Sequence, residues 1–575
     1  MVDRDHNGDR VPRTDTTMGR RIGHGRLARA ALVLALALGS PAALAAAPPV
    51  PRLELCEGLV DHTRRVRVAP VARPPFLRRF LEPAFSTRVV RISDSRPGQV
   101  HRPPGDGAAA WNVDESLLLL HRHDADGARR AVLLDGTTYA PVEVLELPGL
   151  ATGPVHWSRR DPRALFYATD TGPEAGRLTR FDVDSGAAST VADFAPSCRA
   201  AGLEPAGGLL AGPSADDGLF GYRCGVKGGR SLAIAHDARE DASHALRVGD
   251  GTDLPADRPP RPTADGRRFL LGGHSLDARL EDPVRLDLAD PDAPHALGAR
   301  ADGRGVLFQS AASPSPGGCD GDVWNGVGLL VEHDLESGAC RPRVSRTGDY
   351  PATPTGTELS AAAFRAPGWI ALSGDGSGDR EERLERFLSA RSAPLLFSEV
   401  YLADAGARGD LEPCRIAHHR SFGADAANAD YDPALGRPGV TSSPRATRAV
   451  FASDWYDSGL VDAYVVELPA FTPHDLAGTW VDADDPNLVT RIAQAGTRVA
   501  FSRAPRVRGD APFLSTDGAG ALDEDALSLD YTVRVGPGDS VGGSCAATVV
   551  DAARRLDLDC EDRRFGRVRL SLVRP

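Results

Sequence analysis

One local pattern recurs along this chain and limits its fold more than any other feature. A turn rich in Asp, Gly, Pro or Ser leads into a short run of alternating apolar residues, the signature of a hairpin strand. Seven copies occur: WNVDESLLLL from Trp111, VHWSRRDPRALFYAT from Val155, PSADDGLFGYRC from Pro213, PTADGRRFLLGG from Pro262, ARADGRGVLFQS from Ala299, FRAPGWIALSG from Phe364 and SSPRATRAVFASDW from Ser442. Most are followed by a second hairpin with its own turn, as in RLTRFDVDSGAASTV after the second copy and GLLVEHDLESGACRPRV after the fifth. Each unit is therefore a group of about four strands that cannot bury its apolar faces alone, and such units stack into the blades of a ring. The expected fold is all-β, a seven-bladed β-propeller over residues 76–472. A ring must close, and FSTRVVRISD (Phe85 to Asp94), ahead of the first copy, offers a strand to complete the last blade.

Helical periodicity is nearly absent. Its best instance is DREERLERFLSAR (379–391), where Leu384, Phe387 and Leu388 recur at helical spacing. After YVVELPAFTPHD the pattern changes to short strands joined by Gly-containing turns, and residues 473–575 predict a small antiparallel barrel. Its Gly478-Thr479-Trp480 opening resembles the G-x-W start of lipocalin-like barrels.

The N-terminal stretch reads as an export signal. Arg20, Arg21, Arg26 and Arg29 precede an apolar run from Ala30 to Leu38, and small residues at Ala43-Leu44-Ala45 form a cleavage site. Residues 1–45 are thus a leader, with Met18 as an alternative start, and 46–75 a Pro-rich linker. The expected location is secreted or periplasmic, with no membrane span after cleavage because no other apolar run is long enough. Eight cysteines, none spaced C-x-x-C, favour disulfides in such a protein over metal ligation, although eight allow 105 connectivities. The favoured set is three local staples, Cys198–Cys224, Cys319–Cys340 and Cys545–Cys560, which leaves Cys56 for Cys414.

A net charge of -12 with acidic and basic residues interspersed excludes nucleic acid as a partner, since phosphate binding needs a clustered basic surface. The bases are almost all Arg, Lys227 being the only lysine.

The seven turns match the TolB-like propeller pattern. The end of the propeller is more specific: RIAHHRSFG followed by TSSPRATRAVFASDWYDSGLVDAYVVELP resembles the final blades of the oligogalacturonate lyase family, propellers that cleave pectin fragments by β-elimination with a bound divalent metal. In that family the turn before the last inner strand carries a His-Pro-His-Pro segment that supplies metal ligands. Here the corresponding positions are Arg437-Pro438-Gly439-Val440. Neither Arg nor Gly offers a ligand to a hard cation, so the frame is kept and the metal set is missing. Arg437 instead offers a bidentate donor to a carboxylate.

Other candidates are weaker. His156, beside Trp157, and His274, in LGGHSLD, stand near inner strands and within reach of the central channel, although a hydrogen-bonded structural role is commoner for such histidines. His418 and His419 are adjacent and face opposite ways on a strand, so they cannot share a pocket. Asp320 and Asp322 in GGCDGDVWNG are candidate calcium ligands, with a solvated loop the commoner outcome. Trp324 and Trp455 are candidates to stack on sugars at the rim, against the alternative that tryptophans fill gaps between blades. GDSVGGSC (538–545) contains G-x-S-x-G, but no histidine follows Ser540 and no α/β domain surrounds it, so it is expected to be a Gly-rich hairpin loop.

The sequence thus predicts an exported, monomeric, non-catalytic binding or scaffold propeller, with an acidic glycan or an envelope protein as partner and no cofactor. Two alternatives stand beside it. One is a divergent uronate lyase using His156, His274 and Arg437; the other is a TolB-like protein-interaction propeller.

Overall fold

The computed structural model describes residues 55–57, 59, 66–105, 108–249, 251–288, 295–311, 329–343, 358–374, 396–405, 413–423, 426, 430–506, 514–551 and 553–575. The expected leader, the helix expected over 379–391, and Cys319, Asp320, Asp322 and Trp324 lie outside these residues.

Seven antiparallel sheets form the ring. Blades 1 to 6 span 100–145, 155–193, 209–249, 261–285, 295–342 and 358–418, each with four strands in sequence order. Blade 7 takes three strands from 440–467 and two from the start of the chain, Arg88–Arg91 and Arg79–Leu81. Arg88–Arg91 pairs with Asp462–Glu467, Val89 opposite Val466 and Val90 opposite Val465, so the segment expected to close the ring does so.

The repeated turn is built by its own side chains. In the fourth copy Gly266 N–H donates to the Thr263 carbonyl at 3.0 Å, while the Asp265 carboxylate accepts from the Thr263 hydroxyl at 2.5 Å and from Arg267 N–H at 3.2 Å. The outer turns at Asp182 and Asp334 work alike, each carboxylate accepting from the backbone and hydroxyl of a serine three residues on.

The second strand of a blade is buried on both faces, as in Ala164–Ala168 and Arg448–Ser453, because the neighbouring blades cover it, while outermost strands such as Pro141–Leu145 are largely exposed. An apolar cluster fills each of the seven blade interfaces. Trp111, Trp157 and Trp455 belong to these fillings. Closure also uses buried charge. Arg420 donates twice to Glu82 (2.6 and 2.8 Å) and Arg415 twice to Glu399 (2.6 and 2.5 Å), all four fully buried, with His418 between the two carboxylates. Burial opposes the charge on Glu82, yet the His418 imidazole beside it and the Arg420 guanidinium pull its carboxyl down to about 2. Cys56–Cys414 ties the entering chain to blade 6 (Cα–Cα 5.5 Å), and Cys198–Cys224 staples the short helix Ala195–Ala200 to blade 3.

The C-terminal strands, from Gly478–Asp482 to Gly566–Val573, form an eight-stranded barrel in sequence order, closed where Val481 meets Val573. Ala526–Gly536 alternates exposed and buried residues, as a one-layer wall requires. Cys545 and Cys560 are directly opposed on neighbouring strands and bonded. GDSVGGSC differs from expectation. Only Gly538 lies in the turn (φ +78), and Asp539–Val550 is a twelve-residue strand, its small residues held in the ladder by pairing with Ala526–Gly536.

Candidate functional site: a basic channel

The seven innermost strands are short and surround a central cavity of about 790 Å³. Arg102, His156, Leu210, Arg261, His295 and Glu358 reach it from the inner strands of blades 1 to 6, and Leu435 from the turn that precedes the inner strand of blade 7. His121 and His123 enter from the second strand of blade 1 and Arg129 from the third. The register sets this: Arg102 is opposite His121, and His123 is opposite both Val100 and Arg129.

The two ends of the channel differ. Arg159 and Phe364 follow the inner strands of blades 2 and 6, and the guanidinium carbon lies 4.6 Å from the ring centroid, a cation–π contact that spans the axis. Burial lowers the Arg159 pKa to about 10, against the pull of Asp217, and its Nη1 has no hydrogen-bond partner. Residues that precede the inner strands, including Thr152, Asp257 and Arg258, ring the other end.

The lining is basic in an acidic protein. Among the described residues the lining holds five guanidiniums, of Arg102, Arg129, Arg159, Arg258 and Arg261, and two carboxylates, of Asp257 and Glu358, while the whole chain carries -12. His121 and His123 add no charge at neutral pH. Burial first, then Arg102 and Arg129, push His123 down to about 4; His121 is held well below its ordinary value by burial, then by Arg129, His123, Arg102 and His156. Neutral imidazoles beside guanidiniums can hydrogen-bond an anion and take up a proton when it arrives.

The segment aligned with the lyase metal ligands can be followed atom by atom. Gly439 has φ +34, and a Cβ there would stand 2.8 Å from an Arg102 guanidinium nitrogen and 2.9 Å from a Glu358 carboxylate oxygen. Those two side chains form an ion pair at 4.0 Å. An ion pair therefore occupies the room a ligand side chain at position 439 would need, and among the described residues no three His, Cys, Asp or Glu gather as a metal set. The residues do not fit the divalent cation of the lyase resemblance.

The expected site residues separate. His156 lines the channel, its Nε2 3.4 Å from the Leu210 carbonyl. His274 is on the third strand of blade 4, outside the lining, because the inner strand there is only Arg261–Pro262 and the third strand points its residues to neighbouring blades. Arg437 is exposed beyond the turn Pro433–Gly436 and is not in the channel wall. Trp455 is not at a rim: it is 3% exposed, stacks on Tyr464 at 4.8 Å, lies beneath Arg420 and donates Nε1–H to the Val71 carbonyl at 2.8 Å. With both faces and its N–H engaged, it cannot receive a sugar. His418 and His419 are both buried in separate networks, His419 Nε2 lying 2.8 Å from the Gly374 carbonyl.

The sequence reading missed Arg102, His121, His123, Arg129, Arg258 and Arg261. A signal was present in HRHDADGARR (121–130), where His121-x-His123 puts two imidazoles on one strand face and Arg129 returns opposite them. RPPRP (258–262) carries the other pair.

No family model matches the chain, and no curated protein does. Solved structures that resemble it include a chain of the mitotic checkpoint complex (14% identical, 63% of this chain and 90% of that one, TM-score 0.31). A prolyl endopeptidase (13%, 73% and 57%, TM-score 0.32) and TolB from Acinetobacter baumannii (11%, 71% and 77%, TM-score 0.23) are others. Likeness this distant assigns no role to the channel.

Proposed function

We propose that the protein is an exported, non-catalytic binding propeller whose channel takes an anionic ligand, an acidic glycan in particular. The observation that supports this is the contrast between a cavity whose described lining holds five arginines and two acidic residues and a chain of net charge -12. A field of that sign, focused by low-dielectric walls, concentrates anions, and arginine forks match carboxylates in geometry. Export rests on the leader-like sequence and on disulfides formed between distant cysteines, which suit an oxidising compartment.

Calorimetric titration with galacturonate oligomers and matched neutral galactose oligomers tests the proposal. The charged series is expected to bind and the neutral one not, and Arg258→Glu to weaken binding roughly ten-fold or more. An array of uronate and sulfated glycans left blank by the folded protein would overturn the ligand class. Release of unsaturated, ultraviolet-absorbing product would overturn the non-catalytic reading.

A further inference from the structure

The part of the channel wall that blade 1 contributes is a patch of four side chains set by strand register. Alternation puts His121 and His123 on one face of Leu117–His123. Arg102 stands directly opposite His121 on the strand to one side, and Arg129 directly opposite His123 on the strand to the other, so all four share that face and line the cavity. His121 is 6% exposed, and its buried Nε2 has no hydrogen-bond partner. The carboxylates nearest the patch already have partners. Glu358 of blade 6 pairs with Arg102 at 4.0 Å, and Asp124 accepts from Arg122, Arg130 and Gln99 at 3.0–3.1 Å. Asp432 accepts from Ala434 N–H at 3.0 Å in the turn before blade 7, and His156 approaches from the inner strand of blade 2.

We propose that this wall binds an anionic group together with a proton, so that capture of a ligand by the channel is coupled to acid. The coupling presupposes that the channel takes an anion, and it gives that site a control. Protonating either imidazole before an anion arrives would add a third cation to a buried patch that already holds two. Burial first, and then the two guanidiniums, therefore keep both rings neutral. A carboxylate drawn in by the arginines reverses the local sign, since an opposite charge within about 4–6 Å favours the charged ring. Once protonated, a ring donates from both nitrogens, and His121 Nε2–H gains an acceptor in the ligand. Binding and protonation then strengthen each other by the same factor. Arginines alone would hold the anion equally well at any pH, whereas the histidines tighten the grip as pH falls.

Calorimetric titration of the full chain with trigalacturonate, at about pH 7 and about pH 5 and in pairs of buffers that differ in ionisation enthalpy, counts the protons taken up. Over that interval the trimer stays ionised and the arginines stay charged, so neither accounts for the proton. Uptake of about one proton per bound trimer is expected, with affinity rising roughly ten-fold from the higher pH to the lower. The double variant His121→Gln, His123→Gln should lose the uptake and flatten the pH profile, a change that loss of a merely structural contact would not produce. Wild-type binding without proton uptake, and with equal affinity at both pH values, would overturn the coupling and leave the channel's preference for anions standing. That measurement decides the coupling even where the double variant does not fold. Uptake retained by the folded double variant would overturn the assignment to this wall. No binding at either pH would overturn the anion site itself, and the coupling with it.

Discussion

The propeller and the barrel both close on themselves, the barrel by pairing its last strand with its first and the propeller by stacking open blades in a ring, but they close around opposite interiors. The ring keeps its apolar residues between blades and leaves guanidiniums and neutral imidazoles at its axis. The barrel puts its apolar residues at the axis and its charges outside. Burial patterns follow: Arg448–Ser453 in blade 7 is buried throughout, while Ala526–Gly536 in the barrel alternates. A blade is covered on two faces and a barrel wall on one. Where a fold sends its hydrophobic groups thus decides the chemistry left for its centre.

The contrast can be broken from the propeller side first. Glu82→Ala leaves Arg420 buried without its carboxylate, and loss of one partner of a buried pair costs about 3–5 kcal/mol. The expected result in guanidinium is an early transition for the ring and an unmoved one for the barrel, followed through Trp480, the barrel's only tryptophan. Equal shifts in both would mean that the two regions unfold as one unit. The reciprocal change is Leu522→Ala, a truncation in the buried core of the barrel worth about 3 kcal/mol. It should lower the barrel transition and leave galacturonate affinity intact.

Acid gives the smallest and most selective separation. His101, His123 and His333 have folded values near 4 against 6.5 in the unfolded chain, chiefly through burial. Between those values the unfolded ring binds protons the folded ring refuses, so its stability falls as pH drops from about 6.5 to about 4. Asp454 acts in the opposite sense, burial raising it to about 7 so that the folded form binds a proton first and gains stability on acidification. One carboxyl set against these histidines, with His121 and His236 also lowered, leaves net loss for the ring. In the barrel the lowered groups are Asp559, at about 2 through hydrogen bonds from Arg567 and Arg569, and Asp562, whose contribution is lost only below about pH 4. Melting curves from pH 7 to 4 should show the ring transition falling while the barrel transition stays level. A parallel fall would refute the contrast.

The architecture was readable because its cause is local. A turn such as Thr263-Ala264-Asp265-Gly266 is made by its own side chains, and Cys545 faces Cys560 across one hairpin. Closure by Arg88–Arg91 was readable because a ring demands a partner for its last edge. The channel was not, since its lining is spread from Arg102 to Leu435 and each blade contributes only a few residues from a very short strand. Only the ring brings them together. Trp455 and Arg437 lie outside the channel for the complementary reason: residue type suggested a ligand contact, while position put one between blades and the other on the surface.

The Arg159–Phe364 contact lies across one end of the channel and narrows it. A ligand that leaves this contact in place enters and leaves by the other mouth, and a long strand is not threaded through. For a polysaccharide, such a channel reads a chain terminus and is blind to the middle, so the number of captured molecules would follow the number of ends and not the mass of polymer. A scavenger of breakdown fragments and a coat on an intact wall would then be told apart by geometry alone.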